Sequence, residues 1–237
     1  MKNLYLLALA TSIIFTGCDY RTVRGNGNIT TETREGYTPN RIKLAGSFDV
    51  ELTQGPAASV KIEGDANLLS YVVTEQRDGF LVIKTKEHIN LSSEHDIKII
   101  ITTPKLEEIS LTGSGNITGN SKFTDGDRLK VSIAGSGDVS LEANTPKVEA
   151  SIAGSGSITI KGETKDAVVR ISGVGDYKGD SLKAENVEVH IAGSGNVKVF
   201  ADAKLDVHIA GSGDVYYKGT PSITQHIAGS GGIRQMQ

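Results

Sequence analysis

Three histidines, His190, His208 and His226, each stand three residues before a glycine, at Gly193, Gly211 and Gly229, and two carboxylates, Glu188 and Asp206, stand five before the first two of these. If the segments stack as strands, the five side chains share one outer face with about 4.8 Å between rows. Imidazole and carboxylate are the donors Zn²⁺ and similar divalent ions take. Flat strands, however, project their side chains in parallel and do not aim three ligands at one point. The reading adopted is a solvated ladder in which imidazole and carboxylate rows offset one another, with no metal and no other cofactor.

A second polar column lies three residues after the glycines: Asn116, Asp138, Ser157, Asp176, Asn196 and Asp214. Calcium-binding repeats have a much shorter period, and only alternate copies here carry charge. These side chains are expected to hydrogen-bond the backbone of their own turn. Other catalytic signatures fail. No Gly-x-Gly copy continues as GxGxxG opening a helix, and no serine sits in a GxSxG elbow. Arg170 breaks its column near Asp176 and Lys178, which is where a polysaccharide lyase or hydrolase would begin, but a single unrepeated site does not make a reaction centre. No catalytic residue is assigned.

What positions these residues is a repeat. Gly-Ser-Gly or a near copy begins at Gly113, Gly135, Gly154, Gly173, Gly193, Gly211 and Gly229, and ends at Gly115, Gly137, Gly156, Gly175, Gly195, Gly213 and Gly231. The residue two before the first glycine is Leu111, Ile133, Ile152, Ile171, Ile191, Ile209 or Ile227; four after it stands Ile117, Val139, Ile158, Tyr177, Val197, Val215 or Ile233. Four before, the column is apolar except at Gln225. Alternation on both sides of a glycine turn predicts strand, corner and strand, each with one face inward. Glycine suits a corner with positive φ and stacked copies above and below.

An antiparallel hairpin would place the same residues opposite one another. Coils of a parallel β-helix are preferred, because whole repeats match side chain for side chain. Val23 to Ile29 and Leu44 to Val50 keep the same offsets, so the corner motif is expected to begin close to Cys18. Less regular strands are expected at Ser59 to Ile62, Phe80 to Thr85 and Asp96 to Thr103, with a capped short helix or turn from Asp65 to Tyr71.

Residues 1–17 read as a secretory signal, with Lys2 ahead of an apolar run from Leu4 to Phe15. Phe15-Thr16-Gly17-Cys18 resembles the lipobox of bacterial lipoproteins, with Phe15 where leucine is usual. Cys18 is the single cysteine of the chain, so it has no internal disulfide partner and is assigned as the lipidated residue. Residues 18–40 are then a tether and 41–237 one β-helix domain, irregular over 41–105 and regular over 106–237. The formal charge of −3, without a basic cluster, excludes nucleic acid as a partner.

With the repeat laid out, the chain resembles the head GIN domain family of auto-transporter adhesins of Gram-negative bacteria. The resemblance is carried by Ile62 to Leu69, Gly79 to Ile83, Pro104 to Ile117 and the Ile-Ala-Gly-Ser-Gly copies that follow. It implies an all-β, right-handed parallel β-helix, similar in shape to pectin-lyase-like proteins without their catalytic residues, and a role in adhesion. The expectation is a non-enzymatic protein of the cell envelope, lipid-anchored to the outer membrane on a side left open. Its partners would be the membrane, through the lipid, and glycans or envelope or host proteins. The alternatives are a carbohydrate-active enzyme, and a scaffold that pairs with a second copy through the C-terminal coil.

Overall fold

The computed structural model describes residues 20–237, so the signal segment and Cys18 lie outside the described residues. The chain is nearly all strand and winds into a β-solenoid of about seven turns. From Glu108 onward each coil hydrogen-bonds in parallel to the next, with marker glycine on marker glycine: Gly113 on Gly135, Gly135 on Gly154, and so on to Gly211 on Gly229. The hairpin alternative is thereby excluded for the repeats.

Alternation decides which side chains meet. In the strand Asp138–Gly154, Val139, Leu141 and Ala143 point inward before a bend, and Val148, Ala150 and Ile152 after it. Successive coils place Ile133, Ile152, Ile171, Ile191 and Ile209 in one column, all at most 2% exposed. Burying each such side chain contributes roughly 1.5 to 3 kcal/mol, and the columns merge into a single apolar cluster.

The marker glycines have φ between +117° and +139°, a region other residues rarely enter. The serine that follows donates its N–H to the marker carbonyl of the preceding coil, as Ser194 does to Gly173 and Ser212 to Gly193, both at 2.9 Å. A Cβ built on any later marker would strike that same carbonyl oxygen. Backbone therefore lies directly on backbone at the corner.

A second corner is built on threonine. Thr103, Thr145 and Thr164 are buried, and each hydroxyl donates to the carbonyl two residues ahead, on Lys105, Lys147 and Asp166. Differences in repeat length are absorbed away from the glycine corner, at register shifts between Thr118 and Lys122, Thr159 and Gly162, and Gly179 and Lys183.

The first coils do not follow chain order. Arg41–Gly46 lies between Phe80–Thr85 and Glu108–Gly113, and Asp49–Gln54 between Lys98–Thr103 and Asn116–Phe123. Beyond them the end is closed by antiparallel strands, Val72–Arg77 on Phe80–Thr85 and Ser59–Asp65 on Lys98–Thr103, with Ile29–Arg34 outermost. The strands expected at Ser59, Phe80 and Asp96 are present, the last starting at Lys98. Leu44 to Val50 forms a true corner, with Gly46 at φ +136°.

Val23 to Ile29 does not. Arg21–Arg24 instead pairs with Ile89–Ser92 in a separate two-stranded sheet, and Ile29 is 41% exposed. The reason is Asp65, which is almost wholly buried against Gly25 and accepts hydrogen bonds from the Gly27 amide and the Ser93 hydroxyl. These donors, the serine foremost, hold its carboxyl below the usual carboxylate range against the opposing effect of burial. Asp65 thus clasps the N-terminal segment and does not cap a helix. The helix itself is one 3-10 turn, Leu69–Tyr71, entered at Leu68 without a side-chain cap.

At the far end, Ser222–Gly229 is exposed along its length and bonds on one side to Val197–Gly211, with Ile223 and Ile227 each 39% exposed. Ile171, by contrast, sits mid-column between Ile152 and Ile191. Ile171→Asp would place an unpaired carboxylate there, and should cost at least about 4 kcal/mol and broaden the unfolding transition. Urea denaturation followed by circular dichroism measures this.

Candidate functional site

The strands ending at Gly173, Gly193, Gly211 and Gly229 bring Arg170, His190, His208 and His226 into one register on the outer face. The imidazoles stack: the His190 and His208 ring centres are 4.9 Å apart at 8°, and those of His208 and His226 are 5.0 Å apart at 22°. Glu188 Oε1 lies 2.5 Å from His190 Nε2, and Asp206 Oδ1 lies 3.1 Å from His208 Nε2. Lys204 Nζ is 3.2 Å from the other Asp206 oxygen, and Arg170 reaches 3.8 Å from Glu188. The coil of His226 has Thr224 in place of the acid, so three imidazoles share two carboxylates.

The five predicted residues are therefore neighbours, but stacked rings present their nitrogens in parallel. Among the described residues no group of three or more His, Cys, Asp or Glu side chains is arranged to hold a metal ion. On the corner side of the ladder the wall drops to Ala153, Ser172, Ala192 and Ala210, forming a shallow groove. Arg170 belongs to this face through Glu188, while Asp176 is engaged elsewhere by the Asn196 amide.

The Asp and Asn column corrects the expectation of self-capped turns. Asp138 accepts from Ser157 N–H at 3.0 Å, Asp176 from Asn196 N–H at 3.1 Å and Asp214 from Gly232 N–H at 2.9 Å. Each carboxylate thus bonds the backbone one coil ahead, and the column joins coils.

The first coils of the acidic column alternate in sign before it reaches Glu188 and Asp206. Arg41, Glu108, Lys130 and Glu149 follow one another in register, with Glu108 2.7 Å from Arg41 and 2.9 Å from Lys130. Burial pushes the Glu108 carboxyl up, but Lys130 and Arg41 together bring it below its ordinary value. The threonine corners escaped the sequence reading, although Thr103-Pro104-Lys105 and Thr145-Pro146-Lys147 repeat the same tripeptide.

A family model described as "Putative auto-transporter adhesin, head GIN domain" matches residues 38–221. The chain belongs to the head GIN domain family. Solved structures agree on the fold. A "putative adhesin" from Bacteroides fragilis NCTC 9343 is 24% identical with TM-score 0.86, covering 90% of this chain and 100% of that one. A "putative lipid binding protein" from Parabacteroides distasonis ATCC 8503 is 30% identical with TM-score 0.76, covering 92% and 100%. A "putative adhesin" from Parabacteroides merdae ATCC 43184 is 24% identical with TM-score 0.73, covering 91% and 99%. No curated protein matches the chain.

In this head GIN domain the ladder carboxylates are tuned downward. His190 chiefly, with Arg170 adding, lowers Glu188 below its ordinary value of 4.5, and Lys204 chiefly, with His208 adding, lowers Asp206 below 3.8. A carboxylate with a depressed folded value stabilises the fold fully above its unfolded value and loses that contribution as pH falls through the folded one. The thermal-midpoint difference between the native chain and Glu188→Gln should therefore be present at about pH 5 and shrink as pH falls below the ordinary carboxylate value of 4.5 and on through the lower folded one. A scan of midpoint against pH checks it.

Proposed function

We propose that this head GIN protein is a non-enzymatic adhesin of the cell envelope, anchored by a lipid on Cys18 and binding through its outer wall. The observation that carries the reading is the stack of parallel coils, in register at every glycine corner from Gly113 to Gly229, which offers a tall repetitive surface. The family description and two of the structural neighbours name adhesins, which supports the role. The anchor rests on Phe15-Thr16-Gly17-Cys18, and no described helix is long and apolar enough to cross a membrane.

The neighbour named for lipid binding raises a second reading for this chain. The axis of this chain, however, is filled by one apolar cluster, so a ligand meets the outside of the coil. An enzyme on this shape would need an unrepeated acid or base free to act. Arg170, the residue that breaks its column, is engaged with Glu188.

Cell fractionation with protease shaving tests the proposal. The native protein should sediment with envelopes and be cut on intact cells, whereas Cys18→Ser should be released as soluble protein. Cells lacking the protein should lose surface attachment, restored by the native form and not by Cys18→Ser. A Cys18→Ser protein that remains membrane-bound, or attachment unaffected by its loss, contradicts the reading.

A further inference from the structure

We propose that the histidine face is a binding strip for a linear acidic polysaccharide lying along the solenoid axis, with affinity that rises as the imidazoles protonate. The inference rests on the adhesin reading and names where its ligand docks.

The first argument is the sequence of charges up the wall. Some outer columns alternate in sign, as Arg41, Glu108, Lys130 and Glu149 do, and as Lys122, Glu142 and Lys161 do, while others set two like charges side by side, as Lys178 and Lys198 do. The column at the groove instead sets Arg170, His190, His208 and His226 in succession with no acid between them. Like charges directly opposite on neighbouring strands are destabilising. A protonated stack therefore carries self-repulsion that a polyanion laid across it would relieve.

Hydrogen-bonding geometry gives the second argument. The ring faces cover one another, so the edges are what a ligand meets. At His190 the Nε2 side is already engaged by Glu188, and at His208 it faces Asp206 Oδ1 at 3.1 Å without a formed hydrogen bond. With Nε2 holding the proton of a neutral ring, Nδ1 is an acceptor and offers nothing to a carboxylate; in the imidazolium both nitrogens donate. Protonation thus turns the outward nitrogen of His190 from acceptor to donor and adds charge to the row, a change imidazoles in general make between about pH 5 and pH 8.

The surroundings set the sign. Arg170 and Lys204 face Glu188 and Asp206, two cations against two carboxylates, while behind them Lys147 pairs with Glu149 and Asp166 accepts from Asn186. With Asp166 uncompensated, three protonated imidazoles change that local balance from minus one to plus two. Spacing and shape fit a sugar polymer: ring centres 4.9 and 5.0 Å apart match roughly one sugar unit of an extended chain, and the floor of Ala153, Ser172, Ala192 and Ala210 leaves room beside the rings. No aromatic platform for nucleobases accompanies the strip, which favours polysaccharide over nucleic acid.

The test is calorimetric titration of the purified full chain with oligogalacturonate, with neutral cello-oligosaccharide and polyadenylate as comparison probes. Oligogalacturonate should bind about tenfold or more tightly at about pH 5.5 than at about pH 7.5, as a swing of several local charges requires. The double variant His190→Gln, His208→Gln should remove most of that pH response while keeping the native circular dichroism, and Arg170→Gln should weaken binding at both pH values. Binding that is absent, independent of pH or unchanged in the double variant overturns the inference, and equal binding of polyadenylate overturns the choice of polysaccharide. If the double variant still restores attachment to cells lacking the protein, the strip is wrong while the adhesin reading stands. If those cells attach normally, the adhesin reading fails.

Discussion

Everything in this molecule depends on the contact of one glycine backbone with the next at the corner. There the serine amide of one coil donates to the marker carbonyl of the coil before it, and a side chain on the marker would occupy the place of that bond. The positive φ turns the chain sharply without breaking the parallel ladder. Because the corners stack without offset, the residues at fixed distances from them stack too. The isoleucine columns inside and the imidazole column outside are consequences of one geometric constraint.

That constraint explains why the interior tolerates so little variety and the exterior so much. Inward positions meet copies of themselves, so aliphatic residues of similar volume recur and fill the axis. Outward positions meet their counterparts above and below, so charge order along a column becomes the variable. Some columns alternate in sign, and others set two like charges side by side, as Lys178 and Lys198 do. The histidine face runs further without an acid and has Glu188 and Asp206 at its side for compensation.

The repeats were readable in the sequence because each buried column is periodic and each corner has its own residue type. The N-terminal end was not, for reasons visible in particular residues. Val23 to Ile29 copies the offsets of a corner, yet a buried carboxylate thirty-odd residues ahead captures its amides, and nothing local announces Asp65 as the acceptor. The insertion of Arg41–Gly46 between strands that come later in the chain is a matter of topology, which periodicity does not encode. At the candidate site, the sequence placed His190, His208 and His226 on one face. The inter-coil bonding of Asp138, Asp176 and Asp214 escaped it, because the partner amides are near in space and about twenty residues away in sequence.

The adhesin reading follows from this architecture: a wall whose outer columns can be written independently of the core suits binding along a length. Its foundation is the corner, and the most direct measurement compares Gly193→Ala with Ser194→Ala by equilibrium unfolding in urea. The account predicts a loss of about 3 kcal/mol or more for Gly193→Ala, from the strained φ and the blocked carbonyl together, against a change within about 0.5 kcal/mol for the exposed serine. Equal stability of the two variants would contradict it.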